Sequence, residues 1–159
     1  MNNLEFRLNL VHAYLEKVNL EKKLLDFYSG KSILITGGAG GIGSNLLIAL
    51  SILVGPAGRI TVLDNLSSIK GSDAWNVSSL DNVQFVYGDI RNDIDLKRVF
   101  KNNPKLVFHL AAFFANQNSV DYPETSADVD IIGLIKLLEY SNLGDIDRFV
   151  YASSGCAIY

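Results

Sequence analysis

Several things are scarce in this sequence, and each scarcity excludes something. One cysteine, Cys156, in 159 residues allows no internal disulfide and no cysteine-rich zinc site. The two histidines, His12 and His109, lie too far apart to give metal-ligand spacing, so no metal is expected. Fourteen basic residues against seventeen acidic ones leave a net charge of −3, which argues against a basic nucleic-acid-binding surface. No apolar run approaches the roughly eighteen residues that a membrane span needs. The most apolar stretch, residues 42–54, is interrupted by Gly43, Ser44, Asn45 and Ser51. Glu5 and Arg7 precede any apolar run and no small-residue cleavage pattern follows, so no signal peptide is expected. The expectation is a cytoplasmic domain, in which the sequons at Asn65 and Asn76 carry no meaning.

What is present is core-forming material. Hydrophobic residues make up 48% of the chain and charged residues 19%, enough apolar surface for one domain of ordinary size. No internal repeat or low-complexity segment occurs. Residues 1–29 stand apart from the rest. Leu4, Leu8, Val11, Leu15 and Val18 recur every three or four residues, which predicts an amphipathic helix. Asn19 is placed to cap a second, short helix carrying Leu20, Leu24, Leu25 and Phe27, with Gly30 as its stop. This extension is expected to cover a sheet edge or a partner surface.

From Lys31 onward short β-rich runs alternate with helical segments. The strands are predicted at 32–36, 59–63, 83–87, 106–110 and 148–152, and the helices at 42–53, 93–101 and 125–141. Residues 65–81 read as a polar loop. Such alternation predicts βαβ crossovers, and hence a parallel sheet with helices on both faces.

The first strand runs into Thr36-Gly37-Gly38-Ala39-Gly40-Gly41-Ile42-Gly43, where Gly37, Gly40 and Gly43 are spaced G-x-x-G-x-x-G. Between a strand and a helix, one glycine permits the tight turn. Another lets the backbone approach a pyrophosphate, and a third lets the helix pack closely on the sheet. The helix amino end offers free N–H groups and the positive end of its dipole to phosphates. The second strand ends at Asp64, about twenty residues beyond Gly43, where a carboxylate holds both hydroxyls of an adenosine ribose. It also repels a 2′-phosphate, and no arginine follows it, so NAD is favoured over NADP. No Gly-Lys-Ser/Thr closes the loop, so it is not a P-loop.

These residues, followed by Val62-Leu63-Asp64-Asn65-Leu66-Ser67, Gly88-Asp89-Ile90-Arg91, Phe108-His109-Leu110-Ala111-Ala112 and Tyr151-Ala152-Ser153-Ser154, resemble the extended short-chain dehydrogenases/reductases. Within them the match is to the NAD-dependent nucleotide-sugar epimerase/dehydratase branch, of UDP-glucose 4-epimerase type. The resemblance covers about residues 30–159 and implies a Rossmann-type doubly wound α/β sheet, incomplete at the C-terminus, behind an N-terminal helical extension. It implies that Gly37, Gly40, Gly41, Ile42 and Gly43 line the pyrophosphate and that Asp64 and Asn65 hold the adenosine ribose. Asp89 and Ile90 would meet the adenine edge, with the carboxylate accepting from its amino group. Leu110, Ala111 and Ala112 would pass beneath the nicotinamide ribose. Ser153 would sit beside the cofactor, and Ser154 would be the active-site hydroxyl that binds the sugar oxygen being oxidised. Asp130 stands where the family usually has Asn, in Val129-Asp130-Ile131-Ile132-Gly133. A carboxylate only accepts where an amide also donates, so the contact there to cofactor or ordered water is altered. Gly41 replaces a usual aromatic residue, and the backbone does that binding. His109, on an apolar strand, reads as a core histidine, and Cys156 as a small filler.

The resemblance also implies chemistry. Hydride passes from C4 of a nucleotide-linked hexose to NAD while a tyrosine, its pKa lowered by a lysine, takes the hydroxyl proton. That pair should read Tyr-x-x-x-Lys. Four residues after Tyr14, Tyr28, Tyr87, Tyr122, Tyr140 and Tyr151 stand Val18, Ser32, Arg91, Ser126, Gly144 and Gly155, and Tyr159 is last. The expectation is therefore the NAD-binding portion of a 4-epimerase, without its substrate domain and inactive alone. A dehydratase would carry an Asp-Glu pair immediately after its active-site Thr, where this chain has Gly155-Cys156. A non-catalytic NAD-binding module is the other reading, and an NADP-dependent sugar reductase is disfavoured by Asp64. A nucleotide-sugar substrate is implied. So is a homodimer of the full-length enzyme through a four-helix bundle, with helix 125–141 on one face.

Overall fold

The computed structural model describes residues 3–19, 22–68, 80–114 and 116–154. The positions of Trp75, of the sequon at Asn76 and of Cys156 lie outside them. Five strands form one all-parallel sheet: β1 (Ser32–Thr36), β2 (Arg59–Asp64), β3 (Val83–Tyr87), β4 (Leu106–His109) and β5 (Arg148–Tyr151), in the order β3-β2-β1-β4-β5. The chain builds outward from β1 to one edge, then crosses back and builds toward the other. The switch point lies between β1 and β4, where open α/β sheets bind ligands at the carboxyl ends of the strands.

Both faces of the sheet are covered, as near-continuous apolar strands require. Alternate residues of β1 point opposite ways. Ile33 and Ile35 join Leu47, Leu50 and Val54 of helix α3 (Gly41–Val54) in one core. Leu34 joins Leu96 and Val99 of α4 (Asp93–Phe100) and Leu137 of α7 (Leu134–Leu143) in the other. The fold class is the Rossmann-like α/β arrangement expected.

Local chemistry explains the ends of the elements. Asn92 caps α4 by accepting from the Ile94 N–H at 2.8 Å. Asp93 and Asp95 in its first turn and Lys97 and Arg98 in its last suit the helix dipole. α3 stops at Gly55, whose φ of +65° favours glycine.

Three differences from the sequence reading stand out. The helical run expected from 125 begins at Pro123, as α6 (Pro123–Ala127), and continues through a π-helical stretch, Asp128–Gly133, into α7. Ahead of it a short helix, α5 (Asn116–Asp121), occupies a polar stretch with no apolar periodicity to announce it. The N-terminal extension forms α1 (Asn3–Val18) and α2 (Lys22–Tyr28). α1 packs mainly on α3 rather than along a sheet edge, with Leu4, Leu8, Val11 and Leu15 half-buried. Phe27 and Tyr28 of α2 pack on the first core.

β1 and β4 share one buried polar pair. Thr36 and His109 are register partners, both at most 2% exposed, with Thr36 Oγ1 and His109 Nδ1 2.7 Å apart. Tyr151 stacks on the imidazole at 5.6 Å between ring centroids. His109 is thus a satisfied core residue, as expected. Burial pushes its pKa down to about 4, against a smaller opposing pull from Asp130.

Two outcomes follow. Between about pH 6.5 and pH 4 the unfolded chain takes up a proton that folded His109 refuses, so stability should fall as pH falls through that window, by roughly 3 kcal/mol at its foot. Urea unfolding at a series of pH values should show the fall, and His109→Gln, which can still bond Thr36, should flatten it. The start of α3 sits so close to the preceding loop that a Cβ at Gly43 would run into the Gly37 carbonyl and lie 2.7 Å from Gly38 Cα. Gly43→Ala should lower stability by about 1–3 kcal/mol in the same assay.

Candidate functional site

The residues singled out from the sequence gather along one edge of the sheet, the carboxyl ends of its strands. The loop after β1 turns sharply at Gly37, φ +72°. A Cβ there would lie 2.6 Å from the Ala111 nitrogen and 2.7 Å from the Leu110 carbonyl carbon. Only glycine lets the end of β1 come this close to the end of β4. Leu110 N–H donates to the Thr36 carbonyl at 3.0 Å and closes the same junction. At Gly40 a Cβ would touch only the Gly37 carbonyl, at 3.4 Å, and at Gly41 it would meet nothing within 4 Å. Neither is required by packing. Gly40 and Gly41 line the open side of the loop, and Ile42 is 76% exposed. α3 begins with no side-chain cap and no acid in its first turn, so its first N–H groups are available to an anion.

Asp64, at the end of β2, is tied directly to this loop. Its Oδ2 accepts from the Ala39 N–H at 2.9 Å and its Oδ1 from the Leu66 N–H at 2.8 Å. Each oxygen keeps a lone pair to spare. Asn65 Oδ1 accepts from Ser67 N–H, and its Nδ2 donates to Asp89 Oδ2 at 2.9 Å.

Asp89, two residues past the end of β3, is more heavily engaged than its sequence suggested. Besides Asn65, it accepts from Arg91 at three points: the backbone N–H and Nε on Oδ1, at 2.9 and 3.0 Å, and Nη2 on Oδ2 at 2.8 Å. Those four bonds fill the acceptor capacity of a carboxylate. The Arg91 guanidinium, chiefly by hydrogen bonding, holds the Asp89 pKa down to about 2. Arg91 Nη1 also donates to Asp128 Oδ2 at 2.9 Å. Ile90 is 4% exposed and belongs to the second core, so its side chain is not at the open edge. A Cβ at Gly133 would meet Ile90 Cδ1 at 2.7 Å; the π-helical stretch passes directly over it.

On the far side of the switch point, Leu110 and Ala111 are half-buried and Ala112 is exposed. Asp130 reaches under this segment, where its Oδ1 accepts from the Phe113 N–H at 2.8 Å and its Oδ2 from the Ser126 hydroxyl at 3.0 Å. Both partners are donors, which suits a group that only accepts. Ser153 and Ser154 follow β5 on the exposed edge, placed by the Ala152 N–H donating to the His109 carbonyl at 3.1 Å.

Sequence reasoning missed Arg91, Asp128 and Arg7. Arg91 closes the Gly88-Asp89-Ile90-Arg91 motif, four residues past the end of β3 and two past Asp89, a spacing that lets it fold back on that carboxylate. Arg7 Nη2 donates to Ser44 Oγ at 3.2 Å and Asn45 Oδ1 at 3.1 Å, a contact across 37 residues that no local pattern announces. A concavity of about 820 Å³ among His12, Ser51, Pro56, Arg59, Asp81 and Gln84 lies at the opposite edge. It is larger than the open depression of about 620 Å³ beside Asp89, Arg91 and Asp128. The site is assigned by the loop, the helix end and the carboxylates, not by volume. Among the described residues no three His, Cys, Asp or Glu side chains are grouped to hold a metal ion, and no helix is long and apolar enough to cross a membrane.

Comparison with known proteins bears on the family and the fold. The chain is 35% identical over 127 residues to the UDP-glucose 4-epimerase of Mycolicibacterium smegmatis, a match covering 79% of this chain and 39% of that one. An epimerase structure from Methanothermobacter thermautotrophicus superposes with a TM-score of 0.78 at 50% identity, over 86% of this chain and 39% of that one. The Thermus thermophilus UDP-glucose 4-epimerase, solved with NAD, superposes with a TM-score of 0.65 at 31% identity, over 78% and 38%. The chain thus spans about two fifths of the length of these relatives. The model of the NAD dependent epimerase/dehydratase family matches residues 33–159. The chain belongs to that family.

Proposed function

We propose that the chain binds NAD along the carboxyl edge of its sheet and forms the cofactor-binding part of a nucleotide-sugar 4-epimerase. The observation that carries this reading is the bond from the Ala39 N–H to Asp64 Oδ2. It fixes a carboxylate with spare lone pairs beside an uncapped helix amino end. The pyrophosphate would lie on Gly37, Gly40, Gly41, Ile42 and Gly43, whose open side has room for it. Asp64 and Asn65 would hold the adenosine ribose. The adenine edge would meet the backbone of Ile90, with Asp89 beside it; an adenine amino group bonding that carboxylate must displace one of its four donors. Across β1, Leu110, Ala111 and Ala112 would pass under the nicotinamide ribose, with Asp130 holding that segment through Phe113 N–H.

What NAD supplies when bound is a hydride acceptor, so that C4 of the sugar can pass through a keto state. In this reading Ser154 donates to or accepts from the C4 oxygen and orients it, and Ser153 lies beside the cofactor. Proton removal has no Tyr-x-x-x-Lys pair in this sequence to carry it. The segment therefore contributes binding and orientation. A 4,6-dehydratase is the less supported alternative, because Gly155-Cys156 and not a carboxylate pair follow Ser154. The apolar side chains exposed on the last helical run, Ile131, Ile132, Ile135 and Leu138, suit the face on which a second copy would pack in a homodimer of the whole enzyme.

Calorimetric titration tests the cofactor assignment. NAD should bind the folded chain, and NADP at least about ten-fold more weakly, because its 2′-phosphate would face Asp64. Asp64→Asn should narrow that gap. A folded chain that binds no NAD would defeat the proposal. The purified 159-residue chain should turn over no UDP-glucose in a coupled assay, and measurable turnover would contradict the division of labour proposed.

A further inference from the structure

We infer that Arg7, which lies in α1 outside the family-matched residues, is a positioning residue for the pyrophosphate end of the dinucleotide site. The inference rests on the NAD reading above. Arg7 reaches the first turn of α3, the turn whose N–H groups that reading gives to the phosphates. Its Nη2 spans two acceptors there, Ser44 Oγ and Asn45 Oδ1. Asn45 is itself fixed, because its Nδ2 donates to the Gly41 carbonyl at 2.8 Å. Ser44 is 3% exposed. One guanidinium from a distant helix thus clamps both the buried and the exposed side of the turn that starts at Gly41.

The electrostatics give the clamp a direction. A cation beside a helix amino end opposes the dipole and is ordinarily disfavoured there. The first turn of α3 contains no acid, and the Asp64 carboxylate near this end is bonded to the Ala39 and Leu66 N–H groups. A guanidinium and an uncapped helix end brought to the same turn reinforce one another toward an anion. Arg7 acts through Ser44 and Asn45, and through its field, without touching the phosphates.

The glycine loop is anchored at Ala39 by Asp64 and at Gly43 by close packing on Gly37. Between those points Gly40 and Gly41 have no side chains to anchor it, and a Cβ at Gly41 would meet open space. The extension adds an anchor from the other side, through Ser44 and Asn45. On this account α1 is part of the binding machinery rather than a covering, and dinucleotide binding and the docking of α1 on α3 favour one another.

Arg7→Met keeps the aliphatic stem against α3 and removes both donors and the charge. Against NAD and ADP-ribose, by calorimetry, this variant should bind about three- to ten-fold more weakly than the parent chain. Its affinity for adenosine, followed by NMR, should be unchanged. Arg7→Lys, which restores a donor and the charge, should recover most of the loss. Arg7→Gln, a donor without charge, should fall between, and serves if the Met variant melts early. Equal NAD affinity in parent and Arg7→Met would overturn the inference while leaving the NAD reading intact. Equal losses for adenosine and NAD would also overturn it, since they would mark a merely structural residue. A parent chain that binds no NAD would bring down both.

Discussion

The closest approach of two strands' ends organises this molecule. At Gly37 the backbone of β1 comes so near the backbone of Leu110 and Ala111 that no side chain fits between them. The turn this allows sends the chain back over the sheet. Ala39 then reaches the Asp64 carboxylate, and α3 starts with Gly43 against the Gly37 carbonyl. Loop, acid and helix end are held by one another, and each would shift if the first contact opened. The same approach brings β1 and β4 together at the switch point, so the glycine loop and the small residues after β4 share one edge.

A second linkage runs along that edge and is electrostatic. Arg91 joins Asp89, just past the end of β3, to Asp128 at the start of the π-helical stretch. Lys136 joins α7 to the same turn through the Arg91 carbonyl and Asp93. Asp130, two residues past Asp128, joins that stretch to Phe113 beyond β4. The π-helical stretch is therefore bonded to the segments that follow both β3 and β4. A non-α stretch is common at functional sites, because its altered turn re-aims side chains, and here it aims Asp128 and Asp130 at different ends of the edge.

Much of this was legible in the sequence where local chemistry governs. The boundaries of β1 and β3 coincide with the β-rich runs, because turn-forming residues bracket them, and the glycine loop and Asp64, paired in the sequence reading, are bonded to one another in the fold. What was not legible depends on distance or degeneracy. Periodicity showed that α1 has an apolar face but not that α3 would receive it. The polar residues of α5 gave no period to read. The π-helical stretch has the same apolar spacing as an α-helix. The family resemblance offered Asp89 to adenine as an acceptor, but a spacing of two residues permits the Arg91 contact without fixing it, and the fold adds Asn65 as the fourth donor to its oxygens. Arg7 lay in a segment that resembled nothing.

The central claim is that a dinucleotide lies along the carboxyl edge with its phosphates on the start of α3. The most direct measurement is a titration of the ¹⁵N-labelled chain with NAD, followed amide by amide. The account predicts large shifts at Gly40, Gly41, Ile42 and Gly43, with further shifts at Leu66 and Ile90, and little change at Gly58, Arg59 and Gln84 on the opposite edge. Shifts confined to that opposite edge, or none at the glycine loop under saturating NAD, would contradict it.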